Sequence, residues 1–359
     1  MKNFLSAVLL LVLLYPVWIW PHIGIIPVFF IFFIAINVDS FEIKWTNYFL
    51  LILFFIIQAR YYTIPGFFFA CFTFLIPLVS VERSREIANV FFKIVAIILF
   101  LGVVIFLLNF IVPLNGKEIA PLNNLKSSYI SYFDFLIYEK NTLNLNFRFF
   151  SVFDEPGVVG MISISGLFYY IEKKSKYSSG YQLVFLISGL LSLSLFFYIS
   201  LILLILWKLK IWGIVYLFIV LIISAFIFSE TYLFKRLFLF DSALNQRSSE
   251  ELVEFFYFVW RSDPLSLIFG YGPTYIQDMG FSGDSSLLGN ILNFGLIILV
   301  PIFSFVIFEL HDSRGFSKLF YVFIICAILW HRPGTFYYPG YLVFFYFVGI
   351  SSLISYEKQ

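Results

Sequence analysis

The run from residue 87 to residue 111, IANVFFKIVAIILFLGVVIFLLNFI, decides the fold, because it contains 25 residues and only one charge, at Lys93. A helix needs about 20 mostly apolar residues to cross a lipid bilayer. The run therefore predicts a membrane-spanning helix, and similar runs occur on both sides of it along the chain.

The composition predicts an integral membrane protein. Of the 359 residues, 61% are hydrophobic, 23% aromatic and only 12% charged. A soluble globular protein has about twice that charged fraction. The net charge of +2 gives no reason to expect a nucleic-acid partner. Cys71 and Cys326 both lie in apolar runs, so we expect them to pack in the interior rather than form a disulfide or bind metal.

The expected fold class is all-α, a polytopic membrane protein forming one membrane-embedded domain over residues 1–359. The opening run is interpreted as a span rather than a signal peptide, because no small-residue cleavage site follows it. About twelve spans are predicted, at residues 4–20, 23–36, 46–58, 66–81, 87–111, 150–171, 180–192, 194–207, 211–229, 285–309, 317–331 and 341–355.

The positions of the basic loops predict the orientation. Loops rich in Lys and Arg favour the cytoplasm. Residues 181–206 form either one long span or two short ones meeting at Ser192–Ser194, and only two spans leave every basic loop inside. Both termini are then cytoplasmic, and the long loops 112–149 and 230–284 are periplasmic. The basic loops are VERSRE at 81–86, EKKSK at 172–176, WKLK at 207–210 and HDSRGFSK at 311–318.

The second long loop contains a predicted amphipathic helix within RSSEELVEFFYFVWRSDP, residues 247–264. Ser248 and Glu251 have capping-box spacing, and Asp263-Pro264 ends the helix. One face is apolar. The helix either lies along the outer membrane surface or only covers the helix bundle. The apolar face consists of Leu252, Phe255, Phe256 and Val259.

A glycine-rich segment follows, IFGYGPTYIQDMGFSGDSSLLG at 268–289. Gly270 and Gly272 do not indicate a dinucleotide, because Tyr275 occupies the position of the third glycine and no Walker-type lysine occurs. Glycines at these positions allow a sharp turn and a close approach to a ligand or to another backbone. We therefore include both glycines among the candidate substrate-binding residues.

Four arginines, Arg148, Arg247, Arg261 and Arg332, fall in the predicted outer loops or at their edges. The orientation bias should deplete cations there. The planar guanidinium binds phosphate or carboxylate through two hydrogen bonds and keeps its charge, which suits an anionic head group. The alternatives are ion pairs with nearby carboxylates or snorkelling at the membrane surface. The three histidines are scattered, so no metal site is predicted.

The order of motifs in the second half of the chain resembles the O-antigen polymerase (Wzy) family, which is similar in these features to the O-antigen ligases. The resemblance covers the whole chain in topology and residues 146–300 in motif. The motifs are an arginine followed by FFSVFDEPG at 148–157, then NQRSSEELVEFF, DPLSLIFGYGP and GDSSLLGNILNFGLIIL, the last at 283–299.

The resemblance implies an inverting-type, metal-independent glycosyltransferase of the bacterial inner membrane that needs no cofactor. Its substrate would be an oligosaccharide linked to undecaprenyl diphosphate. Its other partners would be membrane lipid, a chain-length regulator and a flippase. The functional arginines of the family match Arg148 and Arg247 by position. An arginine-x10-glycine pattern of some members fits Arg261 and Gly272, whereas Arg148 misses it by one residue.

The chemistry of such a transfer suggests roles for particular residues. Fixed cations would stabilise the charge on the departing diphosphate, for which Arg148 and Arg247 are the first candidates. A carboxylate would accept the proton of the acceptor hydroxyl. Asp284 is the first candidate, and it stands where ligases commonly have a histidine, which favours a polymerase. Glu250 is the second candidate.

Two other functions remain open from the sequence. A ligase would use the same donor and a different acceptor. A flippase or other transporter would also suit twelve spans, but it should have ionisable residues near the middle of the bilayer and two related halves. The chain has almost no charges within the predicted spans and no visible internal repeat.

Overall fold

The computed structural model describes residues 1–14, 16–38, 79, 81–112, 114–119, 129–139, 149–153, 156–173, 178–208, 250–272, 275–281 and 287–296. Helix makes up 77% of these residues, in agreement with the predicted helical class. Contacts divide the chain into two compact units. The described parts of the first lie within Met1–Asp39 and Val79–Leu204, and those of the second lie within Ile205–Pro339. The single domain expected for residues 1–359 stays a prediction.

The first unit is built mainly from helices. They are α1 Lys2–Val12, a 3-10 helix Val17–Ile25, α2 Ile26–Asn37, α3 Val81–Ile111, α4 Pro156–Lys173, α5 Ser178–Leu191 and, as far as Leu204, α6 Leu195–Lys208. Within the described part of the chain, one helix is long and apolar enough to cross a membrane, over Glu82–Asn109 of α3. The predicted spans 46–58, 211–229, 317–331 and 341–355 lie outside the described residues, as do residues 66–78 and 80 of the span 66–81.

Helix α3 begins six residues before the predicted start, because polar contacts hold the VERSRE segment in a helix. Arg83 Nε donates to Asn37 Oδ1 over 3.2 Å, and Arg83 also pairs with Glu86 at 3.5 Å. Asn3 Nδ2 donates to Glu86 Oε2 over 2.8 Å. These contacts join the start of α3 to α1 and α2.

The first predicted span, residues 4–20, is not one continuous helix. Helix α1 ends at Val12, and a 3-10 helix containing Pro21 begins at Val17. Proline has no amide hydrogen to donate, and its ring clashes with the preceding helical turn. Pro16 and Pro21 therefore account for the interruption. The amide of Val17 instead donates to the carbonyl of Val152 over 2.8 Å.

Residues 181–206 form two helices, as the charge pattern required. Helix α5 ends at Leu191, and α6 begins at Leu195. Leu193 lies between them with a φ of 48°, a left-handed conformation that stops a helix. The Ser192 hydroxyl donates to the Gly189 carbonyl over 2.7 Å. The break at Ser192–Ser194 is therefore confirmed.

Glycines bring the helices of the first unit close together. A Cβ atom on Gly166 of α4 would lie 2.6 Å from the ring of Phe185 in α5. The ring of Phe197 in α6 occupies the space beside Gly189 of α5 in the same way. Phe185 and Phe197 are fully buried, so these contacts form part of the core.

A three-stranded antiparallel sheet lies within the long loop 112–149, where the sequence analysis expected no strand. Its strands are β1 Lys117–Ile119, β2 Tyr129–Tyr132 and β3 Leu136–Glu139, in the order β1-β2-β3. Phe133 and Asp134 have φ values of 53° and 58° in the turn between β2 and β3. The Ser131 hydroxyl donates to Asp134 Oδ1 over 2.8 Å and so supports this turn.

The second unit contains four short helices in its described part: α7 Glu250–Ser262, α8 Pro264–Phe269, α9 Tyr275–Asp278 and α10 Leu287–Phe294. They share one apolar core, which consists of Leu252, Val259, Leu267, Ile276, Ile291 and Leu292. The predicted span 285–309 does not continue as a helix through this region, because Gly295 has a φ of 80° directly after α10.

Candidate functional site

The structure describes half of the residues that the sequence singled out, and these lie together in the second unit. Arg261 is in the last turn of α7, α7 begins at Glu250, and the segment Gly270–Gly272 follows α8. The other candidates lie outside the described residues. They are Arg148, Arg247, Arg332 and Asp284.

Helix α7 follows the predicted pattern of apolar and polar faces. Leu252 and Val259 are completely buried in the core, and Phe255 and Phe256 pack against them. This burial, together with helical spacing, explains why the segment is a helix although it stands between polar sequences. The predicted apolar face is confirmed, whereas the proposed cap residue Ser248 lies outside the described residues.

The other face of α7 is exposed and carries aromatic residues. Tyr257 is 58% exposed and Phe258 is 64% exposed, and Trp260 at the flank is also exposed. Large aromatic side chains on a surface indicate contact with a membrane or a ligand. The exposed face thus differs from an ordinary solvated helix surface, which is mostly charged.

An open groove of about 520 Å³ runs along this exposed face. Arg261 lies in it, and no carboxylate within the described ranges forms an ion pair with its guanidinium. The interpretation of Arg261 as one half of a salt bridge therefore has no support in the described part. The described lining residues are Glu254, Tyr257, Phe258, Arg261 and Ser262.

Glu250 and Arg261 share one side of α7 but lie far apart along it. The positions 250, 254, 257 and 261 are spaced by four, three and four residues, which places them on one helical face. Eleven residues correspond to about 16 Å along the helix axis. Glu250 and Arg261 are therefore separated by about three turns of the helix. Glu254, which the sequence analysis did not select, is the carboxylate that lines the groove with Arg261.

Helix α7 ends at Asp263-Pro264, as the sequence predicted, and the carboxylate of Asp263 also begins α8, which was not predicted. Asp263 Oδ1 accepts from the amide of Ser266 over 3.3 Å, and Oδ2 accepts from the Ser266 hydroxyl. The Tyr271 hydroxyl also donates to Oδ2, over 3.5 Å. With these donors Asp263 serves as the N-cap of α8, and its contacts position the glycine segment that follows.

The segment Gly270–Gly272 packs its backbone against the end of α10. The amide of Tyr271 donates to the carbonyl of Leu292 over 2.8 Å, and that of Gly272 donates to the carbonyl of Asn293 over 2.9 Å. The last carbonyls of a helix otherwise lack partners. The described role of these glycines is thus an approach to another backbone. A substrate-binding role for Gly270 and Gly272 stays a prediction.

A buried amide and a stacked pair of tyrosines complete this junction. Asn293, which is 3% exposed, accepts from the amide of Ile276 over 3.0 Å. The rings of Tyr271 and Tyr275 stack at 4.4 Å with an angle of 18°. Burial, and then the neighbouring Tyr271, raise the pKa of Tyr275. Asn293 was not among the predicted site residues, although a polar amide inside the apolar run NILNFGLIIL indicates a buried hydrogen-bonding role.

Chemically, the described site offers an arginine cation, a carboxylate and aromatic surface along one open groove. Such a set can bind an amphiphilic anion, with the guanidinium on the charged group and the rings against sugar or hydrocarbon. Comparisons of the chain with protein families, with curated proteins and with solved structures found no match.

Proposed function

We propose that the protein is a polymerase of O-antigen or a related surface polysaccharide. It would be a metal-independent glycosyltransferase in the bacterial inner membrane, with both termini in the cytoplasm and the long loops in the periplasm. The observation that carries the proposal is Arg261 on an exposed, aromatic groove without a described ion-pair partner. The motif order that resembles the O-antigen polymerases supports it as well.

In the proposed reaction, the bond between the anomeric carbon of the growing glycan and its diphosphate breaks. The electron pair leaves with undecaprenyl diphosphate, and a hydroxyl of a second lipid-linked repeat unit forms the new glycosidic bond. The proton of that hydroxyl passes to a carboxylate, for which Asp284 is the first candidate and Glu250 the second. No oxidant, reductant or metal is needed for this exchange.

The arginines would act on the leaving group. Charge builds up on the diphosphate as the bond breaks, and fixed guanidinium groups in a partly dry site stabilise it more than water does. Arg148 and Arg247 are proposed for this role. Arg261 would hold the donor on the groove of α7, where Tyr257 and Phe258 offer apolar surface for the sugar rings or the lipid.

Reconstitution tests this function directly. The purified full-length protein is placed in proteoliposomes with a purified lipid-linked repeat unit, and the products are separated by size. A polymerase converts the substrate to a ladder of lipid-linked oligomers. Transfer only to added lipid A core would identify a ligase. Movement across the membrane without any change in size would identify a transporter, and either result would overturn the proposal.

A genetic experiment gives an independent test. Deletion of the gene in its host should leave lipid A core carrying a single repeat unit, because transfer of one unit does not need polymerisation. A normal ladder of long chains in the deletion strain would contradict the proposal. Polymer that accumulates on the lipid carrier would indicate the ligase instead.

A further inference from the structure

A group of cations lies where α4 ends beside α3, in the first unit. Lys173 Nζ donates to Asn89 Oδ1 over 2.6 Å, which fixes the last residue of α4 against α3. Arg85 and Lys93 lie four residues before and after Asn89, so all three share one side of α3. Lys173 therefore reaches α3 between two cations.

The charges of this group repel one another. Burial, and then the positive charge of Lys93, lower the pKa of Lys173. Lys173 Nζ lies 5.5 Å from the centre of the Tyr169 ring, and Arg85 acts electrostatically on the Tyr169 hydroxyl. The Nε atom of Arg85 is buried and has no hydrogen-bond partner among the described residues. An anion placed here would relieve the repulsion.

The described carboxylates nearby do not neutralise this group. Glu86 is already contacted by Asn3 and by Arg83. It lies seven residues from Lys93, which is about 10 Å along the helix. Glu82 is one turn from Arg85, but the described residues contain no ion pair between them. Among the described side chains, no carboxylate therefore forms an ion pair with Arg85, Lys93 or Lys173.

An exposed apolar stripe continues from Lys93 along the same side of α3. Its members follow Lys93 at helical spacing and end at Ile111, about 27 Å farther along the helix axis. This length is close to the hydrocarbon thickness of a bilayer. The exposed members are Ile97, Phe100, Val104, Leu107 and Ile111.

We infer that Lys93, Lys173, Asn89 and Arg85 form a binding site for the phosphate of an anionic phospholipid, whose acyl chain lies along the stripe from Ile97. The anionic head group of such a lipid matches the cationic group of side chains, and its hydrocarbon chain matches the exposed apolar stripe that begins beside them. The inference rests on the membrane location in the proposed function, but it does not depend on glycosyl transfer. This site is separate from the groove of α7.

Native mass spectrometry of the full-length protein tests the site. The protein is extracted in detergent and equilibrated with equal amounts of phosphatidylglycerol and phosphatidylcholine of the same chain length. The ratio of the two lipids retained by the protein is then measured. The wild-type protein should retain phosphatidylglycerol several-fold in excess, and Lys93→Gln and Lys173→Gln should each lose most of that excess.

Two controls separate head-group binding from folding and from general charge. Lys93→Arg keeps the charge and should keep the preference. Lys117→Gln removes an exposed lysine of β1, far along the sequence from the group, and should also keep it. Lys93 has no described hydrogen bond, so its replacement should leave the fold intact, which circular dichroism checks. An unchanged lipid ratio in both Lys→Gln variants would overturn the inference.

A final measurement distinguishes the binding of a phospholipid from the binding of a soluble phosphate anion. Inorganic phosphate and pyrophosphate are added at millimolar concentration to the protein with bound phosphatidylglycerol. Little displacement is expected, because the apolar stripe contributes to lipid retention. Complete displacement by either anion, or equal retention of both lipids by the wild-type protein, would overturn the assignment to a phospholipid. Polymerase activity does not enter any of these measurements.

Discussion

A Cβ atom added to Gly295 would lie 2.6 Å from the amide nitrogen of Gly270. Gly295 also has a φ of 80°, a conformation that other residues rarely adopt. The two glycines thus allow the backbone after α8 to lie directly against the end of α10. Neither helix could keep its present position if this contact were widened by a side chain.

Replacement of Gly295 by alanine should therefore destabilise the second unit by about 2 kcal/mol or more, from the backbone conformation and the clash together. Gly280 provides a matched control, because its φ is 75° but nothing lies within 4 Å of its Cβ position. Gly280→Ala should cost only about 1 kcal/mol. Thermal unfolding in detergent and limited proteolysis at residues 250–296 would measure both. Equal losses would show that the close contact is not important.

A second pair of glycine variants tests the packing between α5 and α6. The Phe197 ring fills the space where a Cβ atom of Gly189 would lie, so Gly189→Ala must displace a buried ring. Overpacking of this kind costs about 1–3 kcal/mol. In the same helix, no atom lies within 4 Å of the position that a Cβ atom of Gly180 would take. Gly180→Ala should therefore be neutral or slightly stabilising. A similar melting temperature for the two variants would contradict the described packing.

The position of Arg261 predicts a specific loss of activity. If its guanidinium holds the diphosphate, Arg261→Ala should reduce polymerisation about a hundredfold. Arg261→Lys should also be damaging, because an ammonium cannot make the two parallel hydrogen bonds. Chain length is measured in a deletion strain that expresses each variant, and the amount of protein in the membrane is checked by immunoblot.

A control cation for this experiment lies in the sheet, and two further arginines extend the test. Lys117→Ala removes another exposed cation and should leave the chains long. Arg148→Ala and Arg247→Ala should abolish long chains while the protein still accumulates. Polysaccharide chains of normal length in all three arginine variants would contradict the proposed binding of the diphosphate by these arginines.

The turn between α5 and α6 gives a test of orientation. Ser192 and Ser194 are buried, so a cysteine at either position would be protected whatever side it faced. Leu193 is partly exposed and is the better position. In a protein with Cys71 and Cys326 replaced, Leu193→Cys should react with an impermeant thiol reagent in intact cells. Ser179→Cys, exposed at the start of α5, should react only after permeabilisation. The opposite labelling pattern would place the turn on the cytoplasmic side and contradict the proposed topology.

Features that depend on neighbouring residues were well predicted from the sequence. The spacing of the apolar residues predicts helix α7, and Asp263-Pro264 predicts where it ends. The break at Ser192–Ser194 was required by the charges of the loops on either side. In each case the deciding residues lie within the feature or within about 20 residues of it along the chain, where spacing and charge can be read directly.

Features that depend on distant contacts were not predicted. The end of α10 at Gly295 depends on Gly270, which lies 25 residues earlier. The strands of the small sheet have three or four residues each, too few for an alternating pattern to be recognised. The first span was predicted as one helix from its apolar length, although Pro16 and Pro21 interrupt it. For the site, Asn293 was missed because its importance lies in its contact with Ile276 across the unit, and Glu254 because the groove that it lines exists only in the folded structure.

The lengths of the helices in the first unit have a consequence for the surrounding bilayer. Helices α5 and α6 have 14 residues each, about 21 Å, whereas the uncharged run of α3 after Lys93 has 18 residues, about 27 Å. In the proposed membrane location, a bilayer of ordinary thickness, about 30 Å, would match α3 and exceed the length of α5 and α6. Such hydrophobic mismatch would be accommodated by thinning of the lipid around the short helices. We therefore expect acyl-chain length to affect the stability of this unit, independently of any bound substrate.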